Sequence, residues 1–532
     1  MKNSFYLVIP SQQQAPELAR WYQEKNLKHW LDELPIINPA LSTRMLLDLV
    51  QQANQLVMPA EKRLDVQELL RPAYLTIVEN LRARLLYGGL PKSDNEQKVF
   101  AALTQLEKAF TLGYWIATRE VTQRDLGWFK SKQVSLAIHR SLLGLANIVV
   151  SHYLMNTPIP DWVWIDLHSL YLLAVKLKKE TVKVAASGLD NDQPAATIEE
   201  IYLQIVLLSL SQPDSLTPRE ILHVHGFVQP LCEYLALQRA PVKNQEKQCL
   251  IQTDEDLPPF FSDDSTKYAD TSLLFINFHK FLKILAQANK FIDRDSVRFG
   301  AVAPGNQERR LIAPELYHSL VLHWQGKRYL GPALFADRLP RRVAVGLDVN
   351  ANLGKRSDAE ADEQHELTVT SASPRSLAVV PHQANLIAIG SLVGFRKEAT
   401  PHNQANLGVI SKISNAHKGK ELVFEIRQLA PVFYPVSLTA NVSDWETAGM
   451  NGLVYSDPDK KTRLILESYS LKEGDVLWMR LNQEEFPIIL RNRENIGIGY
   501  WGFECRRIEE KGISSGPPNA DAVDNRPGFD FT

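Results

Sequence analysis

The chain is poor in cysteine, in charge of one sign and in long apolar runs. Its three cysteines, Cys232, Cys249 and Cys505, lie far apart with no Cys-x-x-Cys pair. That excludes a disulfide framework and a cysteine-rich zinc site, and it fits a reducing cytoplasm. Lys plus Arg is 59 against 61 for Asp plus Glu, a formal net charge of -2. A balanced chain has no general attraction for nucleic acid or an anionic membrane, so any anion site has to be local. The most apolar runs, IVVSHYLM at 148–155 and IYLQIVLLSL at 201–210, fall short of the uninterrupted length a bilayer demands and read as core helices. The apolar part of the N-terminal MKNSFYLVIP is too short for a secretory signal core. Chemistry is missing in the same way. There is no nucleophile elbow, HExxH, dinucleotide fingerprint or phosphate loop. GNQERR at 305–310 places Arg309 and Arg310 after a glycine but lacks the Gly-Lys-Ser/Thr that follows in a phosphate loop. His223 and His225 sit two apart near a helix start and do not share a helical face. His318 and His323 have no carboxylate or cysteine at ligand spacing. The expectation is a non-enzymatic, cytoplasmic protein with no metal.

What is present is a change of texture. Up to about residue 325 good helix formers dominate and apolar residues return at helical spacing, as in Leu64, Val66, Leu69 and Leu70, then Tyr74, Leu75 and Ile77. DWVWIDLHSLYLLAVKLKKE, 161–180, reads as a buried helix with lysines at its C-terminal end. Thr197-Ile-Glu-Glu200 and Thr217-Pro-Arg-Glu220 match the capping box, the second with Pro218 at the first helical position. TSLLFINFHKFLKILAQANKF, 271–291, is expected as one more helix. Residues 1–325 therefore form a helical region, a bundle or helical-repeat scaffold without a fixed period. Polar, proline-bearing connections fall near 186–196 and 252–267.

Beyond residue 325 short alternating segments take over. Strands are predicted at 342–349, 366–370, 377–380, 390–396, 406–413, 421–426 and 432–438, and a second set at 452–455, 463–467, 475–480, 486–490 and 500–505. Many short strands between polar turns mean a small barrel or sandwich. The fold class is α+β multidomain: the helical region, a six-stranded antiparallel β-barrel over 326–440, and a β-rich extension or second, degenerate barrel over 441–511. The Gly-, Pro-, Asn- and Asp-rich tail, 512–532, reads as disordered.

One cluster carries functional content. Arg338, Arg341 and Arg342 stand directly before the segment VAVGLDV, in which Val343, Val345, Leu347 and Val349 share one face of a strand. Arginine suits forked contacts with phosphate and with the edge of guanine. The sequence then reads Ser371-Ala-Ser373-Pro-Arg375-Ser376, small hydroxyl residues in a turn before another strand. The layout resembles the PilZ domain, a bacterial six-stranded barrel that binds cyclic di-GMP. That family carries Arg-x-x-x-Arg before its first strand and [Asp/Asn]-x-Ser-x-x-Gly a few tens of residues later. Arg338 and Arg342 match the first motif and Ser373 matches the serine of the second. IGSLVGFR (389–396) and LGVISKI (407–413) resemble the strands that follow. Ser371 stands where Asp or Asn is usual and Ser376 where Gly is usual. The second departure matters if the backbone at 376 requires positive φ or close approach.

The resemblance implies a cyclic di-GMP receptor in which Arg338 and Arg342 engage phosphate and guanine while Ser371 and Ser373 contact the other guanine. Arg341 and Arg375 are further cations that the family motif does not assign. The helical region would then engage an unidentified protein partner. Two other readings stand beside it: a non-binding, PilZ-like protein-interaction scaffold, and a nucleic-acid-binding small barrel, which the net charge and the lack of a basic, aromatic-lined groove oppose.

Overall fold

The computed structural model describes residues 9–123, 131–186, 195–263, 272–294, 296–299, 311–327, 330–355, 366–415, 421–441, 445 and 449–508. The expected disordered tail and Arg309 and Arg310 lie outside them. The chain divides into two compact units, one mainly helical to about residue 328 and one of barrels from Tyr329 onward, which also takes in Gly89–Pro91.

The helical unit contains α1 (Pro16–Trp21), α2 (Glu24–Asp32), α3 (Pro39–Asn54), α4 (Ala60–Ala83), α5 (Asp94–Gln123), α6 (Ser131–Leu154), α7 (Val163–Lys176), α8 (Ile198–Leu210), α9 (Pro218–Val228), α10 (His279–Leu285) and α11 (Pro314–Trp324). Both capping boxes form as read. Thr197 accepts from the Glu200 amide and Glu200 answers to the Thr197 amide, and Thr217 and Glu220 repeat the exchange. The N-terminus of α7 is capped from a distance, by Asp256, whose carboxylate accepts from the amides of Trp162 and Ile165. α6 contains a 23-residue stretch, Lys132–Leu154, long and apolar enough by length and composition to cross a membrane, contrary to the sequence expectation. Of its most apolar window 78% is buried inside the protein, as in a core helix.

The helical reading fails at two places. A four-stranded antiparallel sheet, in the order β1-β4-β2-β3, interrupts this unit: β1 (Ala236–Gln238), β2 (Gln248–Gln252), β3 (Phe260–Ser262) and β4 (Leu273–Asn277). The segment expected as a single helix over 271–291 divides into β4 and α10. Four consecutive buried residues, Leu273 to Ile276, are covered on both faces in the sheet. A short apolar run of that kind fits a central strand as well as a helix, and length decides between them.

The second unit consists of two closed antiparallel barrels. The first is built from β5 (Arg341–Val345), β6 (Leu367–Ser371), β7 (Ser376–Val379), β8 (Leu392–Lys397), β9 (Asn406–Asn415) and β10 (Leu422–Ala430), in the order β10-β7-β6-β5-β8-β9. The second comprises β11 (Tyr434–Thr439), β12 (Met450–Ser456), β13 (Thr462–Leu466), β14 (Val476–Leu481), β15 (Glu484–Gly497) and β16 (Tyr500–Arg507), in the order β11-β12-β13-β16-β15-β14. The β-rich extension is thus a closed barrel in its own right. β5 is shorter than expected. Gly346 adopts φ 96°, and the chain turns there into α12 (Leu347–Lys355), so Leu347 and Val349 are helical.

Period-2 alternation explains how the barrels are filled and joined. Val343, Val393, Phe395 and Phe424 fill the first barrel, and Val454, Leu464, Leu466 and Phe503 fill the second. The intervening positions Leu392, Leu453 and Ile465 point outward into a shared core with Leu347 and Ala351 of α12. β8, β12 and β13 are thus apolar on both faces, one face filling a barrel and the other lining this shared core. At this junction Ile498 donates its amide to the Gly390 carbonyl at 3.0 Å. A Cβ on Gly497 would lie 2.1 Å from that carbonyl oxygen, whereas one on Gly331 meets nothing within 4 Å. Gly497→Ala is expected to cost about 1–3 kcal/mol through overpacking. Gly331→Ala should stay within about 0.5 kcal/mol. Denaturant midpoints of the two variants check this.

Candidate anion site on the first barrel

The loop 331–340 runs into β5 and packs on the β6–β7 hairpin. Phe335 donates its amide to the Pro374 carbonyl at 2.9 Å. Arg375 Nε donates to the Gly331 carbonyl at 2.8 Å, and Ser371 Oγ lies 3.5 Å from the Leu339 carbonyl. The two halves of the motif, 29 residues apart in sequence from Arg342 to Ser371, are therefore neighbours. Their serine half is a tight turn. Ser373 Oγ accepts from the amides of Arg375 and Ser376 and lies 2.7 Å from Ser376 Oγ. Ser376 is buried, and its φ is not positive. Serine in place of the usual glycine thus carries no backbone strain.

The three arginines separate by position. Arg338 sits at φ 55°, an uncommon conformation for a residue with a side chain, and is exposed on the loop. No hydrogen bond or ion pair holds its guanidinium among the described residues. Arg341 and Arg342 are consecutive strand residues and point to opposite faces. Arg341 is 4% exposed. It donates to the carbonyls of Leu339 and Leu334 and to Asp337 Oδ1, at 2.7, 3.3 and 2.8 Å. Its guanidinium also stands 5.1 Å from the Phe335 ring centre. This is the anchor of the loop. Hydrogen bonds from Arg341 and from Lys397 hold the Asp337 carboxyl down at about 2.

Arg342 faces outward. It donates to Thr368 Oγ1 on β6 and to Glu398 Oε1 just beyond β8, each at 2.9 Å. Directly across β8 stands Arg396, paired in register with Arg342. Arg396 is committed to Glu366 through two contacts and to the Thr400 carbonyl. Burial would raise the Glu366 carboxyl, but His402 and Arg396 outweigh it and bring it to about 2. Thr368, Glu398, Lys397 and Arg396 were not singled out in the sequence. Their proximity depends on strand register, which no local spacing reveals.

The histidines have other roles. His223 Nε2 lies 2.7 Å from the Leu311 carbonyl, and burial pushes His225 down to about 4. Among the described residues no group of three or more His, Cys, Asp and Glu side chains could hold a metal ion.

Comparison with known proteins adds to the helical unit. Residues 25–242 match a family model described as the N-terminal domain of the cyclic-di-GMP receptor FimW. The FimW receptor of Pseudomonas aeruginosa is 24% identical over 216 residues, which is 41% of this chain and 35% of that protein. The chain thus aligns with about a third of the length of its curated relative. No solved structure matches. Apart from Gly89–Pro91, the matched segment lies in the helical unit, and it ends before the strands of either barrel, whereas the PilZ resemblance rests on residues 330–440.

Proposed function

We propose that this chain is a cytoplasmic, non-enzymatic cyclic di-GMP receptor whose first barrel takes the nucleotide and whose helical unit engages a protein partner. The observation that carries the reading is an arginine-bearing loop packed on a serine hairpin of a closed six-stranded barrel. The likeness of the helical region to a family named for a cyclic-di-GMP receptor supports it independently. The exposed Arg338 and the outward Arg342 supply forked donors to phosphate and guanine. Ser371 and Ser373 offer hydroxyls on the adjoining turn. Arg341 and Arg375 act one step back, holding the loop through Asp337 and the Gly331 carbonyl. The site requires no metal and involves neither nucleic acid nor membrane.

Calorimetric titration of the full chain with cyclic di-GMP tests the reading. Saturable binding with a Kd below about 100 µM is expected, corresponding to roughly −5.5 kcal/mol or stronger. Absence of heat at high micromolar nucleotide overturns it. The Ser373–Ser376 hydroxyl contact gives the scaffold reading its one foothold, because those hydroxyls already satisfy each other. Binding that arises only in the Ser371→Asp, Ser376→Gly double variant decides for the scaffold.

A further inference from the structure

Three arginine–carboxylate pairs converge where β5, β6 and β8 meet, and they differ in kind. Arg341–Asp337 anchors the loop, with the arginine buried. Arg396–Glu366 is forked, with side chains 13% and 5% exposed. Arg342–Glu398 is different: the Glu398 side chain is 48% exposed and reaches the arginine from the end of its strand. A pair whose carboxylate stands half in water is weak, because water competes for that partner. The outward arginine of the site is therefore held by an anion that is easily displaced.

We infer that Glu398 is an affinity-setting residue that occupies the Arg342 guanidinium in the unliganded protein and is exchanged for a ligand phosphate on binding. The inference rests on the nucleotide reading of the site and adds a group that the family motif does not contain. The exchange is one of partners only. Arg342 stays charged, its hydrogen bonds pass from carboxylate to phosphate, and Glu398 turns out to water. The apparent affinity is then lowered by whatever the displaced contact contributed. Among the described residues, the other two carboxylates at this place are already committed elsewhere. Asp337 is shared by Arg341 and Lys397, and Glu366 by Arg396 and His402.

Two variants separate this contact from general charge repulsion. Glu398→Gln removes the charge, while Glu398→Asp keeps the charge but shortens the reach by one methylene. Titrated with cyclic di-GMP as full chains, both are expected to bind about fivefold more tightly than the unmodified protein, the factor that corresponds to the top of the range for an exposed pair. Unchanged affinity in Glu398→Gln overturns the inference while leaving the nucleotide reading intact. A gain in Glu398→Gln with none in Glu398→Asp assigns the effect to long-range charge and also overturns it. Failure of all three proteins to bind overturns the nucleotide reading and this inference with it. Binding by Glu398→Gln and Glu398→Asp alone supports the inference in its strongest form, with Glu398 closing the site in the unmodified protein.

Discussion

Acidification from pH 7.5 to 5 is expected to destabilise the helical unit by up to about 4 kcal/mol, a large part of a typical domain's total stability. Burial holds His139 down to about 3 and His168 and His225 down to about 4. Each stays neutral in the fold and takes up a proton near 6.5 once unfolded. A histidine with a lowered folded pKa contributes stability above its unfolded value and loses it as pH falls toward the folded one. Each group can cost up to about 1.4 kcal/mol per pH unit in that window, so three cost roughly 6 kcal/mol by pH 5. Glu107 opposes them. Burial raises its carboxyl to about 7 despite Arg82 and Ser151, so its protonation on acidification returns roughly 2 kcal/mol. Burial also raises Glu199, in the same direction. Helical circular dichroism during denaturant unfolding reads the result. Stability unchanged between pH 7.5 and 5 would contradict the assignment. His168→Gln should remove about 2 kcal/mol of the acid loss, one histidine's share, while lowering stability at neutral pH through its contacts with Tyr202 and the Leu257 carbonyl.

Those histidines show what sequence conveys and what it withholds. His168 lies in a segment whose helical spacing predicts burial, and the helix forms over Val163–Lys176. That its ring is gripped between Tyr202 and a carbonyl 89 residues away is a tertiary fact. The barrels follow the same division. Most of their strands were legible because inward and outward residues alternate. β5 ended early because Gly346 takes a positive φ, which spacing alone does not announce. β4 departs from the helix expected there because an apolar run covered on both faces has lost its period. No local pattern connects Gly89–Pro91 with the barrel, although Leu90 pairs with Ile387 and joins the first barrel's core. Within the site, the arginine and serine motifs were legible as local patterns. The partners that determine their behaviour were not. Glu398 is 56 residues from Arg342 and Thr368 is 26 away, and only the register of β5 with β6 and β8 brings them together.

One consequence of register was nonetheless within reach of the sequence, and it yields the sharpest mutational contrast. Arg341 has the parity of Val343 and so points inward, whereas Arg342 points outward. Substituting these adjacent residues should therefore fail in opposite ways. Arg341→Ala removes three hydrogen bonds, among them one to Asp337, and the stacking on Phe335. It is expected to lower barrel stability by about 2 kcal/mol, moderated because Lys397 still neutralises Asp337. Among the contacts seen between described residues, Arg342→Ala gives up a half-exposed ion pair and a hydroxyl contact, a stability change below about 1 kcal/mol. Its cyclic di-GMP affinity, however, should fall roughly 10- to 100-fold, the scale of one or two charge-assisted hydrogen bonds to phosphate. Arg338→Ala should leave stability within about 0.5 kcal/mol and still weaken binding, because its side chain is exposed and serves no fold contact among the described residues. Thermal melts and titrations of the three variants, run side by side, make the comparison. If Arg341→Ala lost affinity at unchanged stability, or Arg342→Ala lost stability at unchanged affinity, the assignment of an anchoring and a ligand-facing arginine would be wrong. The pattern expected instead is one motif divided by the pleat of a strand, with the loop held from inside the barrel and the anion met on its surface.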